Sequence, residues 1–421
     1  MSSGATHTTT EFLREFRFVQ PGSPVTLFAG PLEVGAGRAS GRIWLEGTGR
    51  AEVRWSLDEG AHFSIPLGTS TLRFNHPDLG LVSIGIGVNS TSGEGYVDTA
   101  DFGAETMESA EVHWLNIPES ASGSIEIDGA GWRTVFEERP GLGALYSAAK
   151  RRPQHVVSHS ASIKRADGSS FTADELTTYL TGLQMALSFA SGRWVAPMLV
   201  AGFDRNRLVH EQWRMWRCDL PETSAAWWDP HRAHDLRELV RLYLGAWYDE
   251  DKQDRVRYYT HHVIEAGRES ALEARVLLLG AANEYLWWVR QPGTRSEVKE
   301  RRHALGASNV IRELLDFAGV PRTPPPELHG IGALIAGHTA PDSDVTDGPG
   351  AIVWVRNRIA HPKDANQPYR INSLMWNTWI LALQYSELIL LHELGYKSRY
   401  RPRVPPNRWA HSSELVPWAS P

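Results

Sequence analysis

Cysteine, net positive charge and long hydrophobic runs are all scarce in this sequence of 421 residues. The one cysteine, Cys218, excludes an intramolecular disulfide and is typical of a reducing compartment. The formal net charge of -6 argues against a protein that coats nucleic acid through overall positive charge. The N-terminus lacks the apolar run of a signal peptide, and polar residues interrupt the most apolar late segment, residues 376–394. We therefore expect a soluble cytoplasmic protein with no membrane partner.

Metal-ligand patterns and nucleotide-binding loops are missing as well. No glycine-rich loop of the Walker type is present, so coupling to nucleotide hydrolysis is not indicated. His231 and His234 beside Asp235 have a spacing that two metal ligands can share, but a third ligand is not identifiable. The first turn of a helix explains the same residues equally well. The sequence predicts neither a metal nor a cofactor.

The first part of the chain, residues 11–165, has the pattern of short β-strands. Residues 1–10 are small and polar, and we predict that they are disordered. Glycine, proline, asparagine and aspartate clusters then separate short apolar or alternating runs, and no helical periodicity is visible. These runs are Glu15–Gln20, Arg42–Leu45, Ala51–Ser56, Thr71–Phe74, Val82–Val88, Glu111–Asn116 and Ser124–Ile127. The pattern predicts an antiparallel sandwich or barrel.

Tryptophans give this β-rich region its one candidate ligand surface. Trp44, Trp55 and Trp114 could bind a ligand, a carbohydrate or a partner protein, but tryptophans on strands are more often core residues. Both interpretations stay open. The residues of this region show no specific chemistry.

Residues 166–230 combine one helix with a hairpin. Thr172 and Glu175 form a capping-box pattern ahead of a helix with a broad apolar face, which we expect to pack on the N-terminal domain. Strand-like runs flank the turn residues 204–207. The aromatic cluster at 213–228 is interpreted either as an interdomain core or as a nucleobase stacking surface, and the former is favoured.

The apolar period changes to 3.6 residues in the region 231–395, which predicts an all-helical bundle. The first predicted helix begins near Leu236, and the last one ends near Leu394. The bundle helices are predicted at 236–246, Val256–Gly267, Ala271–Arg290, Ser296–Phe317 and Ser373–Leu394, with a short segment at Gly330–Ala336. The fold class is therefore α+β and multidomain, with a β-rich front and a helical back.

The segment 355–362 holds the residues that suggest a reaction. Arg356 is followed by Asn357 and, five positions later, by His361, with Pro362 directly after it. This Arg-Asn-x-x-x-His pattern within a helical bundle resembles the HEPN family, over about residues 250–395. The β-rich front with such a back also looks like the ApeA group of bacterial abortive-infection proteins. The resemblance implies a homodimer that cuts RNA without a metal.

The side chains of this motif suit RNA cleavage through the 2′-hydroxyl. His361 can move protons near neutral pH, and the planar Arg356 guanidinium matches phosphate oxygens. Asn357 lies one turn before His361 and could orient the imidazole, while Arg358 is a second arginine that could assist. Arg356 and His361 point about 140° apart on an ideal helix, so within one chain the two side chains do not face the same phosphate group. The resemblance implies that two protomers form a composite site.

A structural interpretation of the same motif remains open. Arginine and histidine near a helix end can simply cap the helix and interact with its dipole. The chain would then carry a non-catalytic dimerisation or nucleotide-binding module, with a ligand-binding β domain in front.

The C-terminal segment 396–421 is basic and rich in proline. Lys397, Arg399, Arg401 and Arg403, and later Arg408 with Trp409, interleave positive charges with aromatic rings. This composition suits single-stranded RNA and predicts an extended tail, although such tails are often simply solvated. The leading hypothesis is a metal-independent, dimeric endoribonuclease of antiphage abortive infection, in which an unknown trigger acts on the β-rich front.

Overall fold

The computed structural model describes residues 20–58, 65–120, 123–221, 226–268, 270–340, 343–361, 364, 366–404 and 412–419. The predicted disordered segment 1–10 and most of the first predicted strand lie outside these residues. The chain divides into two compact units. The first comprises Met1–Leu187 with Trp194–Thr223, and the second comprises Ser188–Arg193 with Ser224–Pro421.

The first unit is built mainly from antiparallel strands. In chain order they are β1 (Val25–Val34), β2 (Gly37–Leu45), β3 (Val53–Leu57), β4 (Gly68–His76), β5 (Gly80–Ser90), β6 (Glu94–Val97), β7 (Thr99–Gly103), β8 (Thr106–Met107), β9 (Ser109–Leu115), β10 (Ser124–Gly129), β11 (Trp132–Glu138), β12 (Val157–Arg165), β13 (Phe171–Thr172), β14 (Ala196–Asp204) and β15 (Arg207–Arg214). Two helices accompany them, α1 (Leu142–Ala149) and α2 (Ala173–Ser191), and the last residues of α2 belong to the second unit.

Strands β1 to β6 close a barrel in the order β1-β2-β3-β6-β5-β4. Alternate residues point inward, so Leu72 and Phe74 of β4 are buried while Arg73 between them is exposed. Trp55 is fully buried, and its indole N–H donates to the carbonyl of Gly87 at 3.1 Å. The prediction of an antiparallel β-rich front is confirmed, and a barrel forms part of it.

Seven further strands form an open sheet in the order β10-β11-β12-β9-β14-β15-β7. Helix α2 packs on it, because the ring of Tyr179 stacks on Trp132 at 4.6 Å and its hydroxyl lies 2.6 Å from that of Thr134. The predicted capping box starts this helix: the Glu175 N–H donates to the Thr172 hydroxyl, and the Thr172 N–H donates to the Glu175 carboxylate.

Residues 11–165 also contain a helix, α1, although no helical periodicity is visible in their sequence. Its sequence, LGALYSAA, is short and rich in small residues, so it shows no apolar stripe. Gly141 precedes it at φ 73°, a conformation that favours glycine.

The second unit is helical. Its helices are α3 (Ala233–Trp247), α4 (Gln253–Gly267), α5 (Leu272–Arg290), α6 (Arg295–Leu305), α7 (Ala307–Phe317), α8 (His329–Ala336), α9 (Gly348–Ala360) and α10 (Leu374–Glu393), followed by the short strands β16 (Arg399–Tyr400) and β17 (Glu414–Leu415). The α+β, multidomain fold class is therefore confirmed. The single helix predicted for 296–317 is wrong: Gly306, at φ 80° and ψ 163°, divides it into α6 and α7.

The centre of the helical unit is α10, which is buried on almost every side. A polar network crosses this core: the Tyr259 hydroxyl donates to the Asn283 amide oxygen at 2.6 Å, and the Asn283 amide nitrogen donates to Ser386 at 3.2 Å. Paired polar groups of this kind fix the register of packed helices. Within the described part of the chain, no helix has the length and apolar character needed to cross a membrane.

The buried His159 of β12 gives the first unit a predicted pH dependence. Burial lowers the pKa of its imidazole to about 3, whereas an unfolded chain titrates at about 6.5. The unfolded state therefore binds one more proton between these values, and the stability contribution of neutral His159, complete above about pH 6.5, is lost as the pH falls. The free energy of unfolding should decrease by about 1.4 kcal/mol per pH unit from this group.

This expectation is measured by urea unfolding at pH 7, 6 and 5. A His159→Gln protein should lose stability less steeply with acidification than the unchanged protein, while His303→Gln, at an exposed position, should leave the slope unaltered. Equal slopes for the unchanged protein and His159→Gln would show that His159 is not held neutral.

Candidate functional site around Arg356 and His361

Helix α9 carries the candidate catalytic residues, and its first turn is firmly held. The Asp347 side chain caps it by accepting the Gly350 N–H at 2.9 Å, and Pro349 lies in the first turn. Arg312 of α7 donates to Asp347 at 2.8 Å. These ionic hydrogen bonds raise the pKa of the Arg312 guanidinium, so its charge is permanent. These contacts hold the N-terminal turn of α9 in place.

Arg356 lies in the last turns of α9, with about a quarter of its side chain exposed. One guanidinium nitrogen donates to the Asn357 amide oxygen at 3.0 Å, and another lies 3.6 Å from the Glu284 carboxylate of α5. Arg302 of α6 donates to the same Glu284 oxygen at 2.6 Å. Two arginines therefore share one carboxylate, which leaves this group with an excess positive charge.

His361 ends the helix. It has φ -133° and ψ 67°, outside the helical range, and its N–H donates to the Asn357 carbonyl at 2.9 Å. Its side chain is exposed. The following Pro362 lies outside the described residues. A helix that stops here leaves the imidazole at the tip of α9, accessible to solvent.

Within one chain, the side chains of Arg356, Asn357 and Arg358 contact different groups. The Asn357 amide oxygen accepts a hydrogen bond from the Arg356 guanidinium at 3.0 Å. Arg358 turns to other partners: its guanidinium lies 3.4 Å from the centre of the Trp354 ring and donates to Gln367 at 2.8 Å. Burial lowers the pKa of Arg358. Orientation of His361 by Asn357 and assistance from Arg358 are not supported within one chain.

The predicted RNA-binding cations of the C-terminal segment mostly have partners within the chain. Arg399 donates to the Ser413 carbonyl at 2.7 Å, and Arg401 lies 3.6 Å from the Asp229 carboxylate. Arg403 is buried, and its Nε donates to Glu387 at 2.8 Å. Lys397 is exposed.

The predicted extended tail is therefore wrong for the described residues 396–404 and 412–419. Strand β16 pairs with β17, and the fully buried Tyr396 accepts the Trp418 indole N–H on its carbonyl at 2.6 Å. The apolar rings among the basic residues pack inward, which a composition-based interpretation could not show. Arg408 and Trp409 lie outside the described residues.

Two other candidate sites lose support. Within the described residues, no group of three or more histidines, cysteines or carboxylates is arranged to hold a metal. Asp235, beside His231 and His234, instead accepts from Arg232 at 2.6 Å, and its burial raises its pKa. Trp55 and Trp114 are fully buried, so neither can present a ring to a carbohydrate.

One cavity was not predicted. It lies in the first unit between the barrel and the open sheet and contains His76, Glu211 and Trp213. The sequence signal is the single carboxylate of β15, Glu211, which shares one face of the strand with Trp213, while Gln212 between them faces α2. Gln212 confirms that alternation by donating to Thr177 of α2 at 2.8 Å.

Parts of both units match known protein families. Residues 103–224 match the family described as the YopA central domain, and residues 249–414 match the YopA C-terminal domain. The chain is 22% identical over 311 residues to the SPbeta prophage-derived uncharacterized protein YopA of Bacillus subtilis (strain 168). That alignment covers 70% of this chain and 66% of the relative, just under two thirds of its length. No solved structure gives a significant match.

Proposed function

We propose that the helical unit is a metal-independent endoribonuclease of HEPN type that acts as a homodimer. The C-terminal end of α9 supports this proposal. There an exposed imidazole, His361, follows a partly exposed guanidinium, Arg356, which Glu284 anchors without neutralising the surrounding charge. A group that can carry protons and a group that can bind phosphate therefore both lie near the C-terminal end of α9.

The proposed reaction uses groups of the RNA and the protein together with water. The 2′-oxygen attacks the adjacent phosphorus, a new O2′–P bond forms, and the P–O5′ bond breaks. His361 takes the proton of the 2′-hydroxyl, and the leaving O5′ takes a proton from water. Arg356 donates two hydrogen bonds to the phosphorane oxygens. The products are a 2′,3′-cyclic phosphate and a 5′-hydroxyl.

The proposed active site needs residues from two copies of the chain. Arg356 is turned toward Glu284 of α5, whereas His361 has left the helix, so one chain separates the two groups. A twofold axis that brings two α9 tips together pairs Arg356 of one protomer with His361 of the other. Arg302, which shares Glu284 with Arg356, adds positive charge for the RNA backbone.

The β-rich first unit is proposed to sense a trigger and restrain the helical unit, in the manner of an antiphage abortive-infection protein. This biological setting rests on the resemblance to the ApeA group. The Bacillus subtilis relative is described as prophage-derived, which agrees with a setting of phage and host.

A non-catalytic dimerisation or nucleotide-binding module is the second candidate. The contacts of Arg356 with Asn357 and Glu284 favour it, because they give the arginine a structural role. In that case substitution of Arg356 lowers thermal stability, and there is no RNA cleavage to lose.

The proposal is tested by incubating purified protein with single-stranded RNA in EDTA. We expect fragments whose 3′ ends are cyclic phosphates and whose 5′ ends are hydroxyls, and a dimer by light scattering. Cleavage that stops in EDTA and returns with a divalent cation would contradict the mechanism. So would a strict monomer that cleaves RNA.

A further inference from the structure

A cavity of about 260 Å³ lies in the first unit, between the barrel and the seven-stranded sheet. Strand β1 and the turn after β4 form one wall, and strands β14 and β15 form the other. A β-bulge at Leu27 interrupts the pairing of β1 with β2 beside the cavity, and another at Val209 interrupts the pairing of β14 with β15. Bulges redirect side chains and are frequent next to binding sites.

Apolar and aromatic side chains form most of the cavity wall. Phe28 comes from the barrel, and Leu199, Phe203 and Trp213 come from the open sheet. The Trp213 ring stacks on Phe74 with a 10° angle between the planes, so its orientation is fixed. A wall of this kind takes the apolar body of a small ligand.

One carboxylate stands in this wall. Glu211 is only 8% exposed, and its Oε2 accepts the Trp213 indole N–H at 2.9 Å. Its Oε1 lies 3.3 Å from His76 Nε2. Both oxygens therefore face N–H donors, as in an ionised carboxylate, and each keeps a further lone pair for a ligand.

His76 does not neutralise this charge. Its Nδ1 accepts the backbone N–H groups of Asp78 at 3.2 Å and Leu79 at 3.3 Å, so that nitrogen carries no proton. The ring is therefore the neutral tautomer with its proton on Nε2, beside Glu211. The pair keeps one negative charge.

The rest of the described lining adds a second carboxylate, Asp78, and contains neither lysine nor arginine. A buried carboxylate without a cation is costly, because an apolar wall solvates it poorly. A cationic ligand offsets that cost on binding, whereas an anion or a neutral molecule does not. The charge of the cavity therefore selects a cation.

We propose that this cavity binds a small organic cation that carries a guanidinium group. The planar fork of a guanidinium matches the two oxygens of Glu211, which a single ammonium nitrogen cannot do. The apolar body of the ligand then lies against Leu199 and Phe203. This binding site is independent of the ribonuclease proposal, since it concerns the first unit alone.

Isothermal titration calorimetry with benzylguanidinium, benzylamine and benzylurea tests the ligand class on the full chain. The three probes share one apolar body and differ in the head group, and benzylurea is the neutral counterpart of benzylguanidinium. We expect benzylguanidinium to bind at least about tenfold more tightly than benzylurea, with benzylamine between them. Equal affinities, or no binding of benzylguanidinium, would overturn the proposal.

Three variants locate the site. Glu211→Gln keeps the shape of the side chain and removes its charge, so affinity for benzylguanidinium should fall about ten- to a hundredfold. Glu94→Gln makes the same charge change at an exposed barrel position outside the cavity lining and should leave the affinity unchanged. Ala29→Trp adds bulk at an exposed lining position without touching the hydrogen bonds of Glu211, and should also weaken binding.

Circular dichroism and the thermal midpoint establish that each variant is folded. If Glu211→Gln does not fold, the comparison of Ala29→Trp with Glu94→Gln decides the location. Full affinity in folded Glu211→Gln, or in Ala29→Trp, would place the ligand elsewhere and overturn the assignment.

Discussion

Alanine at His361 or at Arg356 is expected to lower the rate of RNA cleavage at least about a hundredfold, in proteins that still fold and dimerise. His361→Ala removes the group that moves the 2′-hydroxyl proton. Arg356→Ala removes the donors that hold the phosphorane charge. Both losses are measured as single-turnover rates on a labelled single-stranded RNA in EDTA.

Matched substitutions on α6 control for the loss of one cationic or imidazole side chain. Arg295 and His303 are exposed in the same helical unit, and Arg295→Ala and His303→Ala should leave the cleavage rate within about twofold. Unchanged cleavage in Arg356→Ala or His361→Ala would refute the assignment of the site. A similar loss in the α6 variants would mean that the assay reports RNA binding by general charge.

The buried ion pair between Arg403 and Glu387 should give the largest stability effect among the charged residues. Glu387→Ala leaves the Arg403 guanidinium buried without its carboxylate, which is expected to lower the free energy of unfolding by about 3–5 kcal/mol. Arg403 follows α10 in the chain, so the substitution should also release the segment that follows. Urea unfolding, followed by circular dichroism, measures the change.

The exposed pair of Arg257 and Asp254, 3.0 Å apart, is the control for burial. Asp254→Ala should cost less than about 1 kcal/mol, because solvent screens an exposed pair. The double variant Glu387→Leu with Arg403→Met should lose much less than Glu387→Ala, since no charge is left buried. If Glu387→Ala costs no more than Asp254→Ala, the C-terminal segment is not held by this pair.

The sequence predicted those parts of the fold that depend on local pattern. Alternation in 51–56 and the runs at 71–74 and 82–88 predicted barrel strands, and Thr172 with Glu175 predicted the start of α2. Gly306 lies within a strong apolar period that predicts one continuous helix, although its backbone breaks the helix there. The short α1 has too few apolar residues to show a period.

The contacts of the candidate site could not be predicted from the sequence, because they join residues that are far apart in the chain. Helix α9 ends at Ala360 with His361 as its C-cap, an end that Pro362 in the sequence favours. The partner of Arg356 is Glu284, 72 positions earlier in the chain, and no local pattern joins the two. The same holds for the C-terminal segment. Its sequence does not show that Arg403 pairs with Glu387 of α10, 16 positions earlier. The cavity needs Phe28, His76 and Glu211 from three distant strands or turns.

Mixing two inactive proteins tests whether Arg356 of one protomer works with His361 of the other. Arg356→Ala and His361→Ala proteins are combined in equal amounts, allowed to exchange subunits, and assayed for RNA cleavage in EDTA. Half of the dimers are then mixed, and each has one intact Arg–His pair of two. Cleavage should return to about a quarter of the rate of the unchanged protein. A mixture that forms mixed dimers and stays inactive would contradict the shared site.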